Sequence, residues 1–333
     1  MVDINRFHTG VSYLKIRPGE YQSDCYLTKP YKYGYSLIES YESKIQDDGS
    51  LTTTKGYDHP GYGIDEAYLY QLIDETYSYG LTPYISFVFT NIMERTLTQA
   101  QVSNFIARLG AYLGTRGMIL DIMREWNRAG PSNLQTDDQI LNPYFAFFRN
   151  AIDSQGFKGQ ILLSSHPVLP HSPEMIADHS LAWWLSSPSG EDVREGQLLC
   201  DVYGLSCYTN YPEWCMNLAE EYMNWIGIKK PIFFPEWSRG LDLGGALPED
   251  QRANAAFIEL CYSLLPSFPE VKMLGWWYPI LYKTYDGGAA CAKLREMSVK
   301  WDGYTPISPR GWLLPVGVGT LLLLKGRKSK RRG

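Results

Sequence analysis

The sequence lacks most of the short signatures that tie a chain of 333 residues to nucleotides, metals or acyl transfer. It contains no GxxxxGK[ST] and no GxGxxG after a strand-like run, which removes the usual phosphate-cradling loops. Its five histidines, His8, His59, His166, His171 and His179, show neither HxH nor HExxH spacing, and no carboxylate adjoins the pair His166 and His171. No metal and no cofactor is therefore expected. No GxSxG elbow is present, which argues against a serine hydrolase of the α/β type. Basic residues do not cluster before the extreme C-terminus and the net charge is only −5, so a nucleic-acid partner is not expected. The cysteines Cys25, Cys200, Cys207, Cys215, Cys261 and Cys291 show no CxxC spacing and read as mostly buried thiols. Their even number permits disulfides but selects no pairing, and the redox compartment stays open. The start, Met1 to Arg6, lacks the basic and apolar runs of a secretory leader.

Aromatic residues, by contrast, are plentiful. Tyr, Phe and Trp make up 14% of the chain, with 25 tyrosines among them, and flat amphipathic rings suit ligands with apolar faces and hydroxyl rims, such as sugars. A Tyr-rich core and surface explains the composition equally well. With 44% hydrophobic and 20% charged residues, the chain has ordinary globular usage and can bury a sizeable core.

Short β-rich runs alternate with amphipathic stretches along the sequence. The pattern predicts strands over 8–16, 35–41, 83–89, 118–124, 160–165, 201–208, 231–235 and 273–279. Several of these runs, such as ISFVF and ILLSS, are almost continuously apolar, as strands buried on both faces require. Helices are predicted over 64–79, 98–113, 138–155, 173–185, 212–226 and 248–265. A capping box at Thr98 and Gln101, first-turn prolines at Pro173, Pro212 and Pro248, and closing glycines at Gly80, Gly114, Gly156 and Gly227 support them. Eight alternations predict an α/β chain folded as a single (β/α)8 barrel over residues 1–304, acting as a monomer.

Residues 305–333 read as a linker, a short hydrophobic segment and a basic tail. The 13 residues from Trp312 to Leu324 are apolar, and six of the last nine residues are Lys or Arg. Apolar then basic is the order of a tail anchor with its basic end cytoplasmic, so a transmembrane helix and membrane or cell-surface attachment are expected on this reading. The run is short for a span, and Pro315, Gly317 and Gly319 weaken it as a helix. The other reading is a last segment packed on the barrel, with a solvated tail.

Active sites of such barrels lie at the C-terminal ends of the strands, and two predicted ends carry a glutamate. The fourth ends in Arg124-Glu125-Trp126-Asn127 and the seventh in Glu236-Trp237. Glycoside hydrolysis needs one carboxyl group to protonate the leaving oxygen and a second to attack the anomeric carbon or activate water. This set resembles glycoside hydrolase clan A, near the mannanase-type family 26 or the cellulase-type family 5. The resemblance spans about residues 5–300 and is carried by Lys230-Pro-Ile-Phe-Phe-Pro-Glu236, by Asp201-Val-Tyr-Gly-Leu-Ser-Cys-Tyr208 and by Gly275-Trp-Trp-Tyr-Pro279. It implies Glu236 as nucleophile, Glu125 as acid/base, Tyr208 touching the nucleophile and Trp277 flooring the first sugar subsite. Asn127, Trp237, His166 and Arg124 join them as candidate substrate-binding residues.

In most of the clan Asn immediately precedes the acid/base, whereas this chain has Arg124. Family 26 instead places an Asn two positions after the Glu, as Asn127 stands here. A cation beside a general acid opposes that role if the side chains meet. The expected function is a retaining glycosidase acting on β-linked oligosaccharide or polysaccharide. The alternatives are a catalytically dead barrel that only binds glycans and a barrel enzyme of unrelated chemistry.

Overall fold

A computed structural model describes residues 2–13, 33–37, 43–53, 65–87, 89–124, 141–170, 173–176, 194–239, 248–276 and 288–305. Eight parallel strands close into a barrel: β1 (His8–Tyr13), β2 (Tyr33–Leu37), β3 (Thr82–Ser86), β4 (Met118–Arg124), β5 (Ile161–His166), β6 (Val202–Tyr208), β7 (Ile232–Ser238) and β8 (Val271–Trp276). Each strand pairs with its sequence neighbours, and β8 returns to β1, where His8 lies opposite Met273 and Val11 opposite Trp276. A small antiparallel hairpin, Ser43–Ile45 with Leu51–Thr53, follows β2.

The helices form where the sequence supplies both an apolar stripe and the right ends. In α1 (Glu66–Ser78) the Asp65 carboxylate caps the Tyr68 N–H at 2.8 Å, and Leu69, Leu72 and Ile73 face the barrel. Helix α2 (Gln99–Leu113) opens on the Thr98–Gln101 capping box and buries Val102, Phe105, Ile106, Leu109 and Leu113. Burial of each such side chain contributes about 1.5–3 kcal/mol. Helices α3 (Leu141–Ser154), α4 (Pro212–Ile226), α5 (Pro248–Leu264) and α6 (Ala289–Trp301) complete the outer ring, with shorter turns at Thr90–Met93 and Arg194–Leu198. Gly80, Gly114, Gly156 and Gly227 all take positive φ just past helix ends, which is why glycine stands there.

The start of β1 is stitched to the segment that follows α6. Phe7 N–H donates to the Tyr304 carbonyl at 2.8 Å, Gly303 N–H donates to Phe7 at 2.9 Å, and His8 Nδ1 lies 2.7 Å from Asp302 Oδ1.

Some expectations need correction. The helix expected over 173–185 is described only at its start, where Pro173–Ile176 is a 3-10 turn, and 177–185 lie outside the described residues. The pattern missed α6, whose weak amphipathic stripe is interrupted by charged residues. The cysteines are not all thiols. Cys207 on β6 is joined to Cys215 in the first turn of α4, and Cys291 is also disulfide-bonded, while Cys200 and Cys261 are free and buried. Among the described residues no helix is long and apolar enough to cross a membrane, and the run 312–324 lies outside them.

Candidate active site

The barrel interior is built in two tiers. Its floor is apolar: Tyr33, Tyr84, Ile119, Leu162, Val202, Phe233 and Met273, one from each strand but β1, pack together with Val2 and Ile4 against them. Above it the strands carry small residues. A Cβ on Gly204 would lie 2.1 Å from the Tyr84 hydroxyl and 2.5 Å from the Ser165 carbonyl, so only glycine lets that ring cross the barrel.

The upper tier is polar and buried. Ser86, Asp121, His166, Ser206 and Glu236 are all 0% exposed and Tyr208 is 4% exposed. The Tyr208 hydroxyl donates to Glu236 Oε2, and Ser206 Oγ lies 3.5 Å from the same oxygen. His166 Nε2 stands 2.5 Å from Ser206 Oγ, and its Nδ1 stands 3.1 Å from Asp121 Oδ2, which also accepts from Ser86 Oγ. Burial, and after it the Asp121 carboxylate, hold the Tyr84 phenol well above its ordinary pKa, so that ring stays neutral beneath the polar tier. Among the described residues no group of three or more His, Cys, Asp or Glu side chains could hold a metal.

Glu236 reaches this tier because β7 carries one extra residue. Gly204 and Ser206 on β6 pair with Phe233 and Glu236, and Leu274 and Trp276 on β8 pair with Phe234 and Trp237. Two residues on either neighbour thus face three on β7, a bulge centred on Pro235, which has no N–H to give to a ladder. Phe233 points into the barrel and Phe234 out of it; strict alternation would then turn Trp237 inward and Glu236 outward. The bulge reverses that pair.

No family profile and no curated sequence matches the chain. Solved structures do. The catalytic domain of the Bacillus sp. JAMB-750 GH26 endo-beta-1,4-mannanase aligns at 13% identity over 88% of this chain and 85% of that one, with a TM-score of 0.53. The hyperthermostable endo-1,4-beta-D-mannanase of Thermotoga petrophila RKU-1 aligns at 12% identity over 88% and 99%, with 0.52. A chitinase from Chromobacterium violaceum ATCC 12472 aligns at 12% identity over 88% and 99%, with 0.50. The chain shares their barrel fold.

In that fold the C-terminal ends of the strands form the mouth, and the polar tier lies at this end. The structure brings together three residues that the sequence singled out: Glu236, Tyr208 and His166. His166 is enclosed by Asp121 and Ser206 rather than open to a ligand. Trp237, expected to line the pocket, instead lies behind the sheet. It is 0% exposed, donates its indole N–H to Cys261 Sγ at 3.3 Å and stacks with Phe257 on α5, because the bulge turned it outward. The Arg124 backbone ends β4 opposite His166, just past a register shift after Asp121. Glu125, Asn127 and Trp277 lie outside the described residues.

Three members of the tier escaped sequence reasoning, Ser86, Asp121 and Ser206. Of these only Asp121 left a signal, as the one acid within the apolar run Met-Ile-Leu-Asp-Ile-Met, where only a partnered carboxylate is tolerated. Tyr211, 48% exposed at the start of α4 and three residues beyond Tyr208, adds a ring to the surface that aromatic abundance alone could not locate.

Proposed function

We propose that the chain is a retaining glycoside hydrolase acting on β-linked glycans, with Glu236 as nucleophile and Glu125 as acid/base. The observation that carries this reading is the Tyr208 hydroxyl donating to a Glu236 carboxylate inside the C-terminal end of the barrel. A carboxylate held there by a phenol is oriented for attack at an anomeric carbon and cannot swing to another partner without losing that bond. Glu125 would first protonate the departing glycosidic oxygen, and Glu236 would form the glycosyl ester. Glu125 would then take a proton from the water that cleaves the ester, so the anomeric configuration is retained.

Two assays test the proposal. Glu236→Ala and Glu125→Ala should each abolish turnover on a panel of β-mannans, β-glucans, β-galactans and chitin, and the first-formed product should keep the substrate's anomeric configuration by proton NMR. Unchanged turnover in either variant ends the assignment. A second reading, a barrel that binds glycans without cleaving them, is favoured by the complete burial of Glu236. It predicts wild-type binding on the same panel with no product.

A further inference from the structure

The rim beyond Glu236 carries a cation that a two-glutamate mechanism does not use. Arg239 stands just past the end of β7, two residues after Trp237 and so on the same outer side of the strand. Trp237 stacks with Phe257 on α5. Arg239 reaches Asn254, one turn nearer the mouth on the same helix, where its Nη1 donates to Oδ1 at 3.5 Å. That loose contact spends one of the five donors of a guanidinium. Arg239 is partly buried, yet among the described residues no carboxylate pairs with it.

Gln251 is a second unused group. It lies three residues before Asn254 on the inward stripe of α5, and each of the two is 8% exposed. Neither Oε1 nor Nε2 of Gln251 has a hydrogen-bond partner among the described residues. Helical side chains lean toward the start of their helix, which carries this amide beyond Asn254 toward the barrel mouth. A buried amide without partners is costly, and native proteins leave few of them. Further along the same stripe Phe257, Ile258 and Cys261 are buried and apolar, so nothing in the packing there calls for polar residues at the start of the helix.

The two groups together define what would satisfy them. Arg239 needs acceptors, and a partly buried cation is best met by a negative one. Gln251 needs an acceptor for Nε2 and a donor for Oε1. A neutral sugar meets Gln251 and leaves the guanidinium unpaired. A bare oxyanion such as sulfate meets Arg239 but brings no proton for Oε1. A sugar acid brings both on one ring: a carboxylate whose two oxygens match the guanidinium fork, and hydroxyls that donate and accept.

We propose that Arg239, Gln251 and Asn254 form a rim subsite for the carboxylate of an acidic sugar, which narrows the substrate class to β-glycans that carry uronic acids. The carboxylate subsite stands on the contacts above; its place along a substrate rests on the hydrolase reading. Three residues separate Arg239 from Glu236, at most about 10 Å of extended chain, so a glycan that leaves Glu236 over the end of β7 meets Arg239 next.

Matched oligosaccharides of equal length test the proposal on the full chain. One pair is β-linked mannuronan against mannan and the other β-linked glucuronan against cello-oligomers, each pair differing by carboxylates in place of hydroxymethyl groups. Binding is measured by calorimetry in a Glu236→Gln background, so that turnover does not consume the ligand. At least one acidic oligomer should bind about tenfold tighter than its neutral twin. That preference should disappear on adding Arg239→Gln, shrink on adding Gln251→Leu and weaken as salt is raised. Equal affinities within both pairs, no binding by any oligomer, or a preference that survives Arg239→Gln overturns the proposal. Should Arg239→Gln fail to fold, Arg239→Lys takes its place; it keeps the charge without the fork and should retain only part of the preference, and an undiminished one overturns the proposal. Wild-type turnover scores the hydrolase reading separately. Cleavage of neutral glycans with no acidic preference in binding leaves that reading standing while the subsite falls, and acidic binding with no cleavage of any oligomer does the reverse.

Discussion

The two tiers of the barrel interior are made by the same strands, a few residues apart, and they serve opposite ends. On β3 the floor residue Tyr84 is followed two positions later by Ser86, on β4 Ile119 is followed by Asp121, and on β6 Val202 leads by way of Gly204 to Ser206 and Tyr208. The floor is a packed apolar layer closed from below by Val2 and Ile4. The upper tier replaces that packing with hydrogen bonds between buried polar groups, which confer little net stability and much geometric definition. One end of the barrel thus holds the fold while the other gathers the polar groups on which the proposed chemistry rests, the division expected if the barrel works at its C-terminal face.

That division can be attacked from both sides. The largest effect should come from Glu236→Ala, which should lower turnover by on the order of ten-thousandfold or more while shifting the urea midpoint little. A large midpoint shift with turnover intact would reverse the roles of the tiers. Phe233→Ala in the floor should do the opposite. It should cost about 3–5 kcal/mol in denaturant unfolding, with activity per folded molecule retained. Gly204→Ala sits at the boundary, where the added methyl meets the Tyr84 hydroxyl and the Ser165 carbonyl. It should destabilise by about 1–3 kcal/mol and, by pushing Tyr84 aside, also lower activity. A neutral result there would mean that the two tiers are not packed against each other.

The smallest effect lies outside the barrel and serves as a control. The Arg108 guanidinium beside Glu66 holds that carboxyl below its ordinary 4.5. Its contribution is present above that pH and is lost as the pH falls through the lowered value. Because Arg108 is half-exposed, Glu66→Gln should cost at most about 1 kcal/mol at pH 7, and the difference from wild type should shrink toward pH 3 in denaturant melts.

Much of the barrel was legible in the sequence. Continuously apolar runs such as ILLSS declared strands covered on both faces, and Thr98, Pro212, Gly114 and Gly227 marked helix ends where they stand. Helix α6 escaped because charged residues interrupt its apolar stripe and no side-chain cap marks its start at Gly288. At the site, Glu236 and Tyr208 could be read because each ends a strand. The facing of Glu236 and Trp237 could not, because alternation is counted from one end of a strand and a single bulge at Pro235 inverts everything after it. The contacts of Asp121 and Ser206 were hidden for a related reason. Their partners are 45 and 30 residues away in sequence, and no local pattern records contacts that only closure creates.

The stitching of Phe7 to Gly303 and Tyr304 bears on how the molecule is made. Strand β1 finds its partner β8 far along the chain, His8 lying opposite Met273, a contact order that predicts slow, late cyclisation of the sheet. Until then the nascent β1 offers an unpaired edge to any neighbouring strand, so aggregation during synthesis, rather than loss of the finished barrel's stability, is the hazard this architecture carries.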